Sequence, residues 1–399
     1  MSDSIFIVAA RRTPIGAFLG ALAPLSAPQL GAAACRAALA DSGLEPAEIE
    51  EVVLGCVLSA GLGQAPARQA ALAAGIPPGV PATTLNKMCG SGLKAVMMAA
   101  DQLRIGDIEI AVAGGLESMS NAPYLLPKAR AGLRMGNVEL LDHMLHDGLK
   151  SPFDGELMGC FADATARRYG FTRAAQDAYA AESVTRALRA LRDGDFAAET
   201  TPVVVRTRKG EIAVREDETP GTCDVSRIPS LKPAFGKDGT VTAASSSSIS
   251  DGAAAVIVAS GQAVSRRELK PLARIVGYAS HAQEPEWFTT APSAAIHKLL
   301  AKLGWAAREV ELYEINEAFA AVAMAALHDL ELDPARVNVN GGACALGHPI
   351  GATGARILVT LVHALRRRAV ALGSRRPLRG IASLCIGGGE AVALAIETV

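Results

Sequence analysis

The sequence predicts an α/β protein whose core is built from two similar halves with a segment inserted between them. Short apolar runs of strand length alternate with helical patterns in the first 118 residues and again in about the last 130, as expected of strands covered by helices around a shared core. The two ends also share one layout. In each, an opening strand (5–8; 272–276) leads through a helix to a second strand (52–57; 310–315). A Gly-packed turn before a helix follows (88–92; 341–354), then a closing strand pair around glycines (Gly114-Gly115; Gly387-Gly388-Gly389). The middle third breaks the pattern, with helical stretches such as Arg173–Arg192, a connector at Pro220-Gly221 and many charges.

Each element has a local reason. Ser4-Ile5-Phe6-Ile7-Val8-Ala9-Ala10 is too short to span a membrane and lacks the basic lead of a signal peptide, so it reads as the first buried strand. Val52-Val53-Leu54-Gly55-Cys56-Val57 and Ile110-Ala111-Val112-Ala113 are further strands. Between them Leu93, Val96, Met97, Ala100 and Leu103 recur at helical spacing and mark one face of a helix ending near Gly106. The boundaries expected are residues 1–120 for the first half, completed by 249–270, 121–248 for the insertion and 271–399 for the second half.

Composition narrows the function classes. A chain of 399 residues has room for two or three domains of about 150. Lys+Arg 39 against Asp+Glu 40 leaves no net field to favour nucleic acid or an anionic membrane. Half the residues are apolar and 39 are Gly, which excludes a disordered chain, and no collagen-like repeat is present. The seven cysteines, at 35, 56, 89, 160, 223, 344 and 385, contain no Cys-x-x-Cys pair and so suggest neither a disulfide framework nor a thiolate zinc site. A reducing, cytoplasmic location is expected, and the tail Glu397-Thr398-Val399 is no organelle address.

The chemistry-bearing residues sit in the turns, where sites gather in α/β sheets. Cys89 follows a strand, and Gly90-Ser91-Gly92 opens a helix behind it. The positive end of the helix dipole is expected to lower this thiol from about 8.5 towards neutrality, as a nucleophile needs, and a buried, inert cysteine is the other reading of the turn alone. Gly90-Ser91-Gly92-Leu93-Lys94-Ala95 also fits a dinucleotide fingerprint, but a Cys-bearing turn well inside the chain is the wrong context. His348, among the glycines of residues 340–354, is positioned to serve as the base that activates a thiol. His143 and His146, flanked by Asp142 and Asp147, read as a solvated helix end and not a metal site. Cys385, before three glycines, can exchange a proton beside exposed backbone N–H groups, and Asn316-Glu317-Ala318-Phe319 ends a strand where a carboxamide can hold a water or a carbonyl.

Together these segments closely resemble the thiolase family, in its acetyl-CoA acetyltransferase branch. The resemblance runs from Ala9-Ala10-Arg11-Arg12-Thr13-Pro14-Ile15-Gly16 to the final strand. Asn86-Lys87-Met88-Cys89-Gly90-Ser91-Gly92 looks like the nucleophile segment and Gly347-His348-Pro349-Ile350-Gly351 the histidine segment. Cys385-Ile386-Gly387-Gly388-Gly389 looks like the second-cysteine segment, and Asn316-Glu317-Ala318-Phe319 the asparagine segment.

The resemblance implies a thiolase-like fold with a loop domain as the insertion, and condensation of two acetyl-CoA to acetoacetyl-CoA and CoA, or the reverse thiolysis, through an acetyl-cysteine. Cys89 would carry the acyl group and His348 would activate it. Asn316 would hold a water in the first oxyanion hole, and the N–H groups of Cys89 and Gly387 would form the second. Cys385 would exchange the α-proton. Ser247 would lie near the pantetheine and Met158-Gly159 along the acyl pocket, and Ala318 and Phe319 would contact substrate. Coenzyme A would be substrate and product with no further cofactor or metal, fatty acid metabolism the context, and the assembly a homotetramer without nucleic-acid or membrane partners.

Three departures stand out: Ser245-Ser246-Ser247 where Asn-Ala-Ser is common, Leu157-Met158-Gly159 where His-Met-Gly is common, and Glu390 where Met is frequent. A decarboxylating ketosynthase, which pairs a Cys with two His, fits less well than a thiolase. A catalytically inactive CoA-binding homologue is disfavoured by the intact catalytic positions.

Overall fold

The computed structural model describes residues 4–208 and 210–399. The first half runs through β1 (Ile5–Arg12), the two-residue β2 (Gly16–Ala17), α1 (Ala27–Ser42), β3 (Glu51–Gly55), α2 (Pro66–Ala73), β4 (Ala82–Leu85), α3 (Ser91–Ile105) and β5 (Ile110–Ser118). A long excursion follows, with β6 (Tyr124–Leu125), β7 (Leu141–Asp142), α4 (Met158–Tyr169), α5 (Arg173–Arg192), β8 (Val203–Thr207) and β9 (Gly210–Val214). The chain returns through β10 (Ser250–Ser260) and α6 (Gly261–Arg266). It then builds β11 (Ala273–Ala282), α7 (Ala291–Leu303), β12 (Leu312–Ile315), α8 (Ala320–Asp329), α9 (Ala343–Leu346), α10 (Ile350–Leu372), β13 (Arg379–Ile386) and β14 (Glu390–Thr398).

The duplication read from the sequence is a duplication of topology. In the first half the strands lie in the order β4-β3-β5-β10-β1, and in the second β12-β13-β14-β11. β3 pairs in parallel with β4 and β5, and β10 antiparallel with β5 and β1. Correspondingly, β12 pairs in parallel with β13, and β14 antiparallel with β13 and β11. The counterpart of β4 has shrunk to a single parallel bridge, Tyr313 with Val337. Even the irregularity repeats: β1 slips register between Ile7 and Ala9 against β10, and β11 between Ile275 and Gly277 against β14. β1 and β11 then pair antiparallel, Ile5 opposite Ile275, and join the halves into one sheet.

Burial explains why the central strands read as continuous apolar runs. α3 and α10 pack between the two half-sheets in one core that draws on β1, β5, β10, β12, β13 and β14. α1 and α2 cover the outer face of the first half, and α7 with the end of α8 covers that of the second. Strands covered on both faces have no polar side to alternate, and every residue of β5 and of β10 is buried.

One sequence expectation is corrected. Gly114-Gly115 does not mark a closing turn; both lie inside β5, and β5 reaches its partner β10 only after the excursion of residues 119–249. Their smallness serves close approach: a Cβ at Gly115 would lie 2.1 Å from the Gly351 carbonyl of α10, and one at Gly114 2.1 Å from the Ala254 carbonyl. Only Gly387-Gly388-Gly389 turns a hairpin, between β13 and β14, with Gly388 and Gly389 at φ 98° and 92°.

Candidate active site

The duplication delivers two equivalent turns to one place. Cys89 stands two residues before α3, and His348 two residues before α10, the paired central helices. Cys89, His348, Gly387, Ser247, Met158, Ala318 and Phe319 line a single cavity of about 460 Å³. Cys385 and Asn316 are not on its wall. Cys385 is wholly buried in the cluster with Met158, Phe288 and Phe319, close enough to Cys89 that a charge on either sulfur opposes charge on the other. Asn316, just past β12, is buried with its backbone N–H on Ser383 O (3.0 Å) and its side-chain amide without a protein partner.

The turn that carries Cys89 is strained and braced. Met88 has φ 45°, a conformation that costs a residue with a Cβ about 1–3 kcal/mol. Asn86 Oδ1 accepts the Met88 N–H (2.9 Å), while Ser91 Oγ accepts the Lys87 N–H (2.8 Å) and donates to Met88 O (2.7 Å). The expected lowering of the Cys89 thiol is overturned. Although part of the residue faces the cavity, burial of the sulfur pushes it up to about 11, against the opposing pull of the nearby N–H groups of Gly387 and of Cys89 itself. The dipole argument omitted desolvation, which opposes a thiolate more strongly than a helix terminus favours it. Cys385 is pushed further up, first by burial and then by Cys89.

His348 arrives with its tautomer set. The Thr353 hydroxyl has one proton, which it donates to Pro349 O (2.9 Å). Towards His348 Nδ1, 2.6 Å away, it can therefore only accept, so Nδ1 carries the hydrogen and Nε2 an open lone pair. Nε2 is buried and has no protein partner. Burial, and then the nearby Arg356 charge, hold the imidazole down to about 3, so the ring enters the site neutral.

Two buried carboxylates position these turns. Glu117, at the end of β5, accepts the N–H groups of Val57 (3.0 Å), Leu58 (3.1 Å) and Gly351 (2.9 Å), tying the loop after β3 to the start of α10. Burial raises it to about 7. Glu317 accepts from Tyr179 (3.0 Å), Ser183 (2.7 Å), Asn338 (3.0 Å) and the Cys344 N–H (3.1 Å), anchoring the loop that ends in His348. Ser247 donates its hydroxyl to Ala318 O (3.0 Å), which leaves its lone pairs to accept from a ligand. Leu157, a departure from the family pattern, is more than a third exposed beside Met158.

His143 is a third correction. It is buried, with Nδ1 2.6 Å from Asp147 and Nε2 facing the Ala60 N–H at 3.4 Å, so it braces a π-helical turn at 144–149 and is not a solvated helix end. That turn brings His146, Asp147 and Leu149 to the cavity, with Pro152 and Phe153 following it. Phe288, on the opposite side, stands edge-on to Phe161. The sequence singled out none of these as wall residues. Phe288 lies in a short 3-10 turn with no periodicity to mark it. Glu117 was legible in principle, as a lone acid ending a fully apolar strand.

The thiolase N-terminal domain profile matches residues 5–262 and the thiolase C-terminal domain profile residues 269–398. The chain is 51% identical over 397 residues to an acetyl-CoA acetyltransferase of Pseudomonas aeruginosa, covering 99% of each chain. It is 48% identical over 399 residues to one of Cupriavidus necator, covering all of both. Its backbone matches a thiolase from Ascaris suum in complex with coenzyme A with a TM-score of 0.93 at 43% identity, covering 99% of this chain and 100% of that one. It matches a Bacillus anthracis acetyl-CoA acetyltransferase with a TM-score of 0.95 at 41% identity, covering 100% and 99%.

Proposed function

This chain belongs to the thiolase family, and from that premise we propose how its cavity performs the family's reaction. The enzyme is an acyltransferase that condenses two acetyl-CoA to acetoacetyl-CoA and CoA, and runs the reverse thiolysis, through an acetyl-cysteine. Such a condensation needs one acetyl group held as an electrophile and the other made a carbanion, hence a nucleophile and a separate base.

His348 Nε2 takes the proton of Cys89 as the sulfur attacks the thioester carbonyl. The tetrahedral intermediate collapses, CoA leaves, and its thiolate regains the proton from Nε2. The protonated ring and a water held by the Asn316 amide stabilise the oxyanion of this step. Because the resting thiol sits at about 11, it reacts by concerted transfer to the neutral imidazole and not as a standing thiolate. In the second half-reaction the Cys385 thiol, protonated at rest, gives its proton to His348 Nε2. The resulting thiolate takes the α-proton of a second acetyl-CoA, the carbanion attacks the acetyl-Cys89 carbonyl, and the departing Cys89 thiolate takes the proton back from Nε2. The N–H groups of Cys89 and Gly387 receive that oxyanion, and acetoacetyl-CoA leaves with Cys89 free. In thiolysis the Cys385 thiol returns the proton, which suits a group that burial keeps protonated.

The observation that carries this reading is the convergence of Cys89, Gly387 and a buried, unpartnered His348 Nε2 on one cavity, with Cys385 buried against the cavity residues Met158, Phe288 and Phe319. Coenzyme A enters past Ser247 and the mouth residues Lys150, Pro152 and Phe153. The segment 124–145 exposes Tyr124, Leu126, Leu133, Met135, Val138 and Leu140, which supports self-association, proposed as a homotetramer. A cytoplasmic location and a role in fatty acid metabolism complete the reading. Among the described residues no helix is long and apolar enough to cross a membrane.

Two measurements test the mechanism. Incubation with acetyl-CoA alone, followed by acid quench and peptide mass mapping, should place one acetyl group on Cys89. Cys385→Ala should retain that acetylation but lose deuterium exchange into the acetyl methyl in heavy water. Exchange at the wild-type rate in Cys385→Ala would remove Cys385 from the role of α-proton base.

A further inference from the structure

Glu390, which departs from the family pattern, has a partner across the site. Its carboxylate lies 2.5 Å from the Lys87 ammonium, and the two side chains are 38% and 24% exposed. Lys87 opens the nucleophile turn and Glu390 closes the Gly387-Gly388-Gly389 hairpin, so the pair spans the junction of the two catalytic turns, one from each half. Glu390 is held at a fixed place, its backbone paired with Ile386 on one side and Ala282 on the other. Lys87 is likewise held, its N–H on Ser91 Oγ and its carbonyl accepting the Gly90 N–H (3.0 Å).

Two further contacts cross the same junction. A Cβ on Gly90 would lie 2.4 Å from Ile386 Cδ1, so the turn rests directly on the strand of Cys385. The Gly387 N–H lies close enough to the Cys89 sulfur to favour its thiolate, and both residues line the same cavity. The first contact limits how closely the turns approach, and the second is the one the chemistry uses. Neither stops one turn from sliding past the other. An ion pair anchored in rigid backbone at both ends does.

We propose that Lys87 and Glu390 are positioning residues that hold the Gly387 N–H in register on the Cys89 sulfur. The inference rests on the thiolase reading of the site and adds to it a clamp of this chain's own. As a partly exposed pair it adds little to stability. Its effect is on geometry, where displacements of about 1 Å can cost up to 100-fold in rate.

The test compares Glu390→Gln, the near-isosteric Glu390→Met, Lys87→Met and the charge-reversed double variant Lys87→Glu/Glu390→Lys. Single variants should lose about tenfold in kcat for acetoacetyl-CoA thiolysis with KM for CoA within about twofold of wild type. They should also slow iodoacetamide alkylation of Cys89 at about pH 9 by at least threefold, as expected when a sulfur loses an N–H donor and its thiolate fraction falls. The reversed pair should recover most of both rates. Single variants that alkylate at the wild-type rate, or a reversed pair no better than the singles, would overturn the proposal. Alkylation needs no CoA substrate, so it judges the clamp even if acetylation of wild-type Cys89 were to fail and take the functional reading with it.

Discussion

At His348 one hydroxyl group sets what the ring can do. Thr353 donates to Pro349 O and accepts from Nδ1, which leaves Nε2 with the open lone pair that the proposed mechanism uses. Thr353→Val keeps the shape but removes the acceptor, freeing the tautomer and the ring orientation. Burst acetylation by acetyl-CoA should slow about 10- to 100-fold, less than the 10⁴-fold known for an imidazole locked in the wrong tautomer. An unchanged burst would show that packing alone orients the ring. Arg356 governs the same imidazole by charge. It is buried beside Glu314 at 3.6 Å, and it helps hold His348 down to about 3. Removing a positive charge makes the imidazolium easier to form, so the histidine's pKa must rise in Arg356→Met. The acid limb of kcat/KM should then move to higher pH than in wild type, where this histidine stays neutral far into acid. A limb that stays in place would mean that the two groups are electrostatically separate.

The central helices set the spacing between the turns of Cys89 and His348, because each helix begins two residues after that side chain. α3 and α10 meet backbone to backbone at paired glycines: a Cβ at Gly92 would lie 2.7 Å from Ala355 N, and one at Gly354 2.4 Å from Leu93 N. In an isolated helix Gly→Ala gains about 1 kcal/mol of propensity. Here the methyl meets backbone that cannot rotate away, and overpacking of about 1–3 kcal/mol or more decides the sign. Gly354→Ala should therefore lower the thermal midpoint, and it should depress acetylation and α-proton exchange together, since both turns shift. A variant more stable than wild type would contradict this close packing. The repeated register slip in β1 and β11 belongs to the same scale. It is a trace of one α/β unit used twice, and the second copy has kept the bridge at Val337 where the first has the strand β4.

Across the whole molecule, the excursion between β5 and β10 is tied to the core by charge as well as by apolar packing. Arg12, fully buried at the end of β1, bonds Glu199 (2.6 Å) and chelates Asp217 (2.7 and 2.9 Å), and Glu199 also accepts from Thr360 of α10 (2.9 Å). Arg12→Met would leave two carboxylates buried without their cation, a cost of about 3–5 kcal/mol. Urea inactivation should shift to markedly lower concentration, and limited proteolysis should cut first within residues 193–240. If the inactivation midpoint is unaffected, the excursion is held by its apolar contacts alone.

The duplicated α/β plan, the family and the motifs around Cys89, His348, Asn316 and Cys385 are all legible in the chain's residues. Apolar periodicity, Gly-rich turns and residue type at fixed spacing are local properties, readable without knowing what packs against them. The helix Arg173–Arg192 was legible for that reason. How those residues are tuned follows from the packing of the folded chain. The sequence placed Cys89 near a helix start and so favoured a low pKa, yet burial pushes the sulfur up to about 11, against a core that includes residues as remote in the chain as Ile386. His143 read as solvated because its neighbours in the chain are polar, and it is buried because Ala60 and the turn at 144–149 close over it. Phe288, Glu117 and the Lys87–Glu390 pair likewise gain their meaning from partners remote in the chain. Desolvation and Coulomb interactions depend on three-dimensional distance, and a linear pattern carries no record of that distance.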